Sequence, residues 1–207
     1  MEKPDLSGAY ALNGAEDCRR LYAGWADSYD ADFAAGMDYR LPAETAAAFL
    51  RLAPQGPVLD VGAGTGLLAA ALRGLGFAGD IDALDLSDAM LARAGAKGLY
   101  RHLIAADVTR PLPRGGYGGI VSSGTFTHGH VGPEALPPLL QAANPGATFA
   151  LSVNAGVWDS LGFEAALASL PLAGLDRAEV AIYGQRAQAK DPAHAADRAL
   201  IVTFRKA

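Results

Sequence analysis

Residues 58–70 read VLDVGAGTGLLAA, and this stretch decides the fold. Val58–Val61 is an apolar run of strand length. Glycines at 62, 64 and 66 follow at once, and Leu68, Leu72 and Leu75 then mark one stripe of a helix expected over Gly66–Arg73. Alternate glycines let the backbone approach a ligand with no Cβ in the way, and the start of the helix offers free N–H groups. A dinucleotide-binding turn has the spacing GxGxxG, which would put its third glycine at position 67. Leu67 stands there instead. The turn therefore suits something smaller and less anionic than a pyrophosphate.

Downstream, strands and helices alternate. Ile81–Leu86 reads as a second strand, and Ser87 as the N-cap of a helix through Ala94. Further strands are expected at Leu103–Ala106, Gly119–Ser123 and Thr148–Asn154. Between the last two, Pro137-Pro138 allows only a short helix, and Asn144-Pro145-Gly146 reads as a turn. Ser160–Leu170 is expected to be helical, with strands near Glu179–Gly184 and Ala199–Phe204. The segment from Gln185 to Asp197 is polar, is broken by Pro192 and lacks a helix stripe, so the last two strands are expected to pair antiparallel. The order implies an α/β fold, a mostly parallel sheet with helices on both faces.

Upstream, Leu21, Trp25 and Tyr29 recur at helical spacing, and Pro42 suits the first turn of a helix that buries Ala46, Phe49 and Leu50. That helix ends before Pro54-Gln55-Gly56-Pro57. Residues 1–41 are thus expected to form a helical cap or lid, and 42–207 one compact unit. At 51% hydrophobic and 19% charged residues, the chain has the material for a core, which excludes disorder over most of its length. Its net charge of −5 provides no basic stripe for phosphates, so no nucleic-acid partner is expected. Cys18 is the only cysteine, which rules out an intramolecular disulfide and a cysteine-based zinc site. No apolar run is long enough to span a bilayer, and the opening MEKPDLSG lacks the basic and apolar regions of a secretory signal. The expectation is a cytoplasmic protein without membrane contact.

The chemistry gathers at strand ends. Asp85 closes the second strand in ALDLS, where a carboxylate can accept both hydroxyls of a ribose. Asp107 closes the third in IAADVT, placed for the exocyclic amine of an adenine. A glycine turn and two carboxylates at three successive strand ends suit one adenosine-like ligand.

VLDVGAGTG, IDALDLSDAML, IAADV and IVSSGTFTHGHV resemble the successive motifs of class I S-adenosylmethionine-dependent methyltransferases. GTFTHGHVGPEAL, with WADSYDAD near the N-terminus, is similar to the Williams–Beuren-region methyltransferase-like proteins and their bacterial relatives. The resemblance implies a Rossmann-like seven-stranded sheet of order 3-2-1-4-5-7-6 with the last strand antiparallel. It implies S-adenosylmethionine as cofactor and S-adenosylhomocysteine as product. By the same resemblance, Gly62, Ala63 and Gly64 line the methionine part, Asp85 holds the ribose and Leu86 covers the adenine. Asp107 takes the adenine amine, and the backbone N–H of Val108 a ring nitrogen. Ser123 and Gly124 close over the sulfonium side. Asp60, Thr65, Gly66 and Met90 complete the implied cofactor set. Tyr29 matches an aromatic that lies against the cofactor in relatives, and it can equally pack with Leu21 and Trp25.

A sulfonium already activates its methyl group, so the reaction is an in-line displacement in which the protein mainly aligns the partners. A general base is required only for a protonated nucleophile. His128 and His130, just past the fourth strand, are the candidates for that role, with a structural or solvated imidazole as the alternative for each. As an HxH metal pair they lack further ligands nearby in sequence, so no metal is expected. Asn154 and Tyr183 also fall near strand ends where a substrate would lie, with a loop or core residue as the equal alternative for each. No NPPY segment follows the fourth strand and no Pro-Cys pair exists, which disfavours methylation of DNA bases. The expected partner is a small or medium organic methyl acceptor, reacting at O, N or S. The alternative is a non-catalytic regulatory module that binds S-adenosylmethionine or S-adenosylhomocysteine.

Overall fold

Val58–Val61 (β1) is buried at every position and lies in the middle of the sheet, flanked in parallel by Ile81–Asp85 (β2) and Tyr117–Phe126 (β4). This computed structural model describes residues 15–25 and 29–207; residues 1–14 and 26–28 of the expected cap lie outside the described residues. His102–Ala105 (β3) extends the parallel set beyond β2, and Ala143–Asn154 (β5) extends it beyond β4. Arg198–Lys206 (β7) pairs antiparallel with β5, and Leu172–Ala181 (β6) pairs antiparallel with β7. The sheet order is β3-β2-β1-β4-β5-β7-β6, the order the sequence resemblance implies.

Helices cover both faces because the strands are apolar on both. On one face Phe49 and Ala46 of the helix Leu41–Arg51 and Leu72 of the helix Leu67–Gly74 pack on Val58, Ile81 and Val121. On the other, Leu136 and Leu139 of the helix Leu136–Ala142 pack with Leu59, Ile120 and Phe149. With Ala15–Trp25 as α1 and Ala35–Met37 as α2, these three helices are α3, α4 and α6, and Asp88–Ala96 is α5. Between α1 and α2, Tyr29–Ala34 forms a π-helical stretch. Phe33, Met37 and Leu41 bury against Ile182, Tyr183 and Ile201, and Arg40 donates its backbone N–H to the Ile182 carbonyl at 2.9 Å. This cluster fixes the N-terminal segment beside the carboxyl ends of the parallel strands.

Four expectations need correction. Leu21, Trp25 and Tyr29 do not share one α-helical element, since α1 ends at Trp25 and Tyr29 opens the π-helical stretch. Asn144-Pro145-Gly146 is a bulge inside β5, not a turn between elements. Tyr117 pairs with Ala143 and Gly119 with Thr148, so the extra residues bow outward, and Gly146 takes a φ of 77°. The helix expected over Ser160–Leu170 is shorter, Phe163–Ala168 (α8), entered through Gly162 at φ 72°, and a separate short helix, Ala155–Trp158 (α7), precedes it. Strand β6 starts at Leu172, well before Glu179, and most of it is exposed at the sheet edge. The polar segment after it holds one short helix, Ala187–Lys190 (α9).

Candidate active site

The carboxyl ends of β1, β2 and β3 open on a cavity of about 340 Å³, the position at which open α/β sheets bind ligands. Its floor is the glycine turn. Gly62 and Ala63 both donate their backbone N–H to the Leu84 carbonyl, at 2.8 and 3.1 Å, which folds the chain over the end of β2. Gly62, Gly64 and Gly66 all lie in the left-handed region, at φ 63°, 54° and 90°. They do different jobs there. A Cβ on Gly64 would meet nothing within 4 Å, so the backbone at that point is bare to the cavity. A Cβ on Gly62 would strike the Thr125 side chain, and one on Gly66 would press on the Tyr100 ring at 3.1 Å.

Asp85 holds this turn in place. Its Oδ2 accepts the Gly64 N–H and its Oδ1 the Ser87 N–H, each at 2.8 Å. Burial pushes its carboxyl pKa up, against the opposing pull of those N–H groups. A carboxylate has about four acceptor positions, so two bonds leave capacity for a ligand. Asp107 closes a local turn in which the Thr109 N–H and hydroxyl both donate to Oδ1, at 2.9 and 2.7 Å. Oδ2 is left to accept from a ligand. Ser87 caps α5 as expected, accepting from the Met90 N–H at 3.3 Å, and the buried Met90 side chain forms part of the cavity wall with Leu86 and Val108.

Thr65 lines the same cavity, and its hydroxyl donates to Asp30 at 2.5 Å. The other Asp30 oxygen pairs with Lys97 at 2.6 Å. One carboxylate thus ties the N-terminal segment to both the glycine turn and the end of α5. Tyr29 lines the cavity, and its ring meets that of Phe33 at a tilt, with centroids 5.0 Å apart. Ser123 and Gly124 line the opposite wall.

Asp60, Gly66 and His128 do not line this cavity. Asp60 is 1% exposed behind the turn and accepts the Tyr100 hydroxyl at 2.7 Å. Burial pushes its pKa up to about 7, with the Tyr100 hydrogen bond opposing. The His128 ring packs at the start of α7, where a Cβ on Gly156 would lie 2.8 Å from its Nε2. Sequence reasoning missed Tyr39, Thr109, Thr125 and Val131, which come from loops and from strand ends distant in sequence. Burial pushes the Tyr39 hydroxyl up to about 12, and the hydroxyl lies against Gly124, whose missing side chain and φ of 81° make room for it.

A second cavity of about 50 Å³ adjoins the first and shares Tyr29, Tyr39, Gly124 and His130 with it. Trp25, Phe33 and Tyr183 form much of its remaining wall, and Asn154 also lines it. His130 Nδ1 lies 2.6 Å from the His128 carbonyl, and burial pushes the imidazole pKa below its ordinary value.

The larger cavity fits an adenosine-bearing ligand. It has bare backbone at Gly64, acceptor carboxylates at Asp85 and Asp107, and apolar walls between them. No helix among the described residues is long and apolar enough to cross a membrane.

Residues 33–197 match the profile of a family described as a methyltransferase domain. Methyltransferase-like protein 27 of Homo sapiens is 34% identical over 141 residues, which cover 65% of this chain and 56% of that protein. Among solved structures, the 4+2 cyclase SpnF superposes with a TM-score of 0.69 at 16% identity, over 94% of this chain and 97% of that one. The S-adenosylmethionine-dependent O-methyltransferase of Thermotoga maritima superposes with a TM-score of 0.59 at 16% identity, over 80% of this chain and 65% of that one. At these identities the two structures share the fold, and the fold by itself hosts more than one chemistry.

Proposed function

The chain belongs to the methyltransferase-domain family, and from that premise we propose that it transfers the methyl group of S-adenosylmethionine to a small or medium organic molecule at O, N or S. The observation that carries this reading is the 340 Å³ cavity, which the glycine turn, Asp85 and Asp107 line together. In this reading Gly62, Ala63 and Gly64 hold the methionine part of the cofactor, Asp85 accepts from the ribose, and Asp107 with the Val108 N–H takes the adenine. Ser123 and Gly124 close the sulfonium side. When bound, the cofactor supplies a methyl group activated by the positive sulfur. The chain's own work is then to align an acceptor with that group and keep water away from it. A small acceptor is supported by the limited volume of the adjoining cavity.

Incubation with a metabolite panel and S-adenosylmethionine, read by mass spectrometry, tests the reading. A product heavier by one methyl group is expected. Tight binding of S-adenosylhomocysteine with no product across the panel would favour the regulatory module.

Residues 1–41 act in this proposal as a cap that closes over the cofactor, with 42–207 as the domain it closes on. The Asp30 bonds to Thr65 and Lys97 support the closed position. Amide exchange over residues 15–25 and 29–40 is expected to slow when S-adenosylhomocysteine binds. Equal exchange with and without ligand would make the segment a fixed part of the fold.

A further inference from the structure

We propose that Asp60 is a positioning residue that acts through the glycine turn: its buried carboxyl group carries a proton in the empty site and releases it when S-adenosylmethionine binds, which favours the charged methyl donor over its product. The proposal rests on the methyl-transfer reading above and adds to it a means of telling cofactor from product.

Two buried aspartates on neighbouring strands show what sets Asp60 apart. Asp60 and Asp82 are each 1% exposed. Asp82 receives Arg101 Nε and Nη2 at 2.9 and 3.0 Å, and the Tyr117 hydroxyl at 3.0 Å. Burial pushes the Asp82 pKa up, but the Arg101 and Tyr117 bonds outweigh this and hold it below its ordinary value. Asp60 has no such support. The Tyr100 hydroxyl, at 2.7 Å, is its one hydrogen-bond donor among the described residues, and none of their Lys, Arg or His side chains pairs with it. Its Oδ1 is buried with no partner at all. A buried carboxylate that has one neutral donor and no cation is costly, and a proton removes the charge. The pKa agrees: burial carries it to about 7, against the pull of Tyr100.

Asp60 is also joined to the turn. It lies two residues before Gly62, and the Tyr100 ring rests 3.1 Å from where a Gly66 Cβ would be and packs with Ala63. The Asp60–Tyr100 pair therefore backs the turn from behind, while Asp85 holds it in front through the Gly64 N–H. Three groups act on the Asp60 carboxyl. Tyr100, from the loop before β3, is kept protonated by its own burial and so remains a donor. Asp85, from β2, pushes the Asp60 pKa further up by its charge. The Ala69 backbone N–H, from α4, pulls it down without closing a hydrogen bond.

Charge in front of the turn is thus felt behind it. The negative charge of Asp85 helps to keep the proton on Asp60, and a positive charge over the same turn acts in the opposite sense. S-adenosylmethionine carries a sulfonium, an ammonium and a carboxylate, which leaves one net positive charge. S-adenosylhomocysteine lacks the sulfonium and has none. When the cofactor binds, the Asp60 proton passes to water and the carboxylate left behind attracts the cation through the turn. The product exerts much less of this pull.

Calorimetric titration at pH 7 in two buffers of different ionisation enthalpy counts the protons. Wild-type protein is expected to release about 0.3–0.5 proton with S-adenosylmethionine, since the acid is near half-protonated in the empty site. With S-adenosylhomocysteine it should release less than about 0.1. From pH 5.5 to 7.5, affinity for S-adenosylmethionine should rise about threefold to tenfold, and for S-adenosylhomocysteine less than about twofold. Asp60→Asn keeps an oxygen for Tyr100 but has no proton to release. Both of its affinities should stay within about twofold across this range, near the low-pH values of wild type. Tyr100→Phe removes the donor that favours the ionised form, so the rise should move to higher pH. No proton release from wild type, equal release with both ligands, or a wild-type pH slope in Asp60→Asn would overturn the proposal. If Asp60→Asn fails to fold, the wild-type proton counts and the Tyr100→Phe profile decide. If wild-type protein binds neither ligand, the methyl-transfer reading has failed instead.

Discussion

Asp85→Ala is expected to weaken S-adenosylhomocysteine binding by about 30- to 1000-fold, or roughly 2–4 kcal/mol. In the binding mode proposed above, part of this loss comes from the ribose hydroxyls, which lose a charged acceptor in a site of limited water access. The rest comes from the turn. The Gly64 and Ser87 N–H groups each donate to this carboxylate at 2.8 Å, and both lose their partner in the alanine variant. From sequence alone Asp85 reads as a strand-end carboxylate that matters to the ligand and little to the fold. The structure adds a part in the fold, through the Gly64 and Ser87 N–H bonds, so the variant should also melt lower, by the equivalent of about 1–3 kcal/mol. The burial that raises the Asp85 pKa offsets some of what its hydrogen bonds contribute, which keeps the figure modest. Asp85→Asn keeps one acceptor oxygen and should lose less in both respects. Calorimetry and thermal melting on the two variants check this, and unchanged affinity in a folded Asp85→Ala would place the ligand elsewhere.

The second large effect separates two neighbouring glycines. Gly62→Ala should cost about 2–5 kcal/mol of stability, from the left-handed backbone and from overpacking against Thr125. In a chain of this size that corresponds to a fall in melting temperature of about 5–15 °C. Gly64→Ala bears only the backbone strain, about 1–2 kcal/mol, because its Cβ meets nothing within 4 Å. That Cβ projects from a cavity-lining residue, however, so affinity for S-adenosylhomocysteine should fall on the order of tenfold or more. Melting curves with and without ligand distinguish the two. A Gly62→Ala variant that melts like wild type, or a Gly64→Ala variant that binds like it, would contradict the assignment of fold and ligand roles within this turn.

The parts of the fold legible in the sequence are those where burial is symmetric. Strands β1 and β2 are buried on both faces, so they stand out as apolar runs ended by turn residues. Strand β6 is an exposed edge whose first residues, Leu172–Glu179, show no apolar alternation, and only its last residues read as a strand. The bulge at Asn144–Gly146 carries turn residues because the backbone does turn there, yet pairing to β4 resumes at Thr148. Local composition cannot show that the ladder continues. The same limit applies to the site. Asp85 and Asp107 are legible because a strand end fixes where a side chain can point. Tyr39 is not, because it reaches Gly124 from a segment more than eighty residues away in sequence. Asp60 misled for the opposite reason: it lies on β1 itself, one residue before the strand ends, and its side chain is buried with Tyr100 behind the turn.

The claim everything else depends on is that the cavity at the ends of β1–β3 is built for S-adenosylmethionine and its product. Thermal melting of the wild-type chain with S-adenosylhomocysteine and, separately, with NAD tests it most directly. A ligand at about 100 times its dissociation constant stabilises by about 2.7 kcal/mol, which for a chain of this size raises the melting temperature by about 5–10 °C. That shift is expected with S-adenosylhomocysteine and not with NAD, since Leu67 occupies the place of the third dinucleotide glycine. A clear shift with NAD and none with S-adenosylhomocysteine would contradict the account.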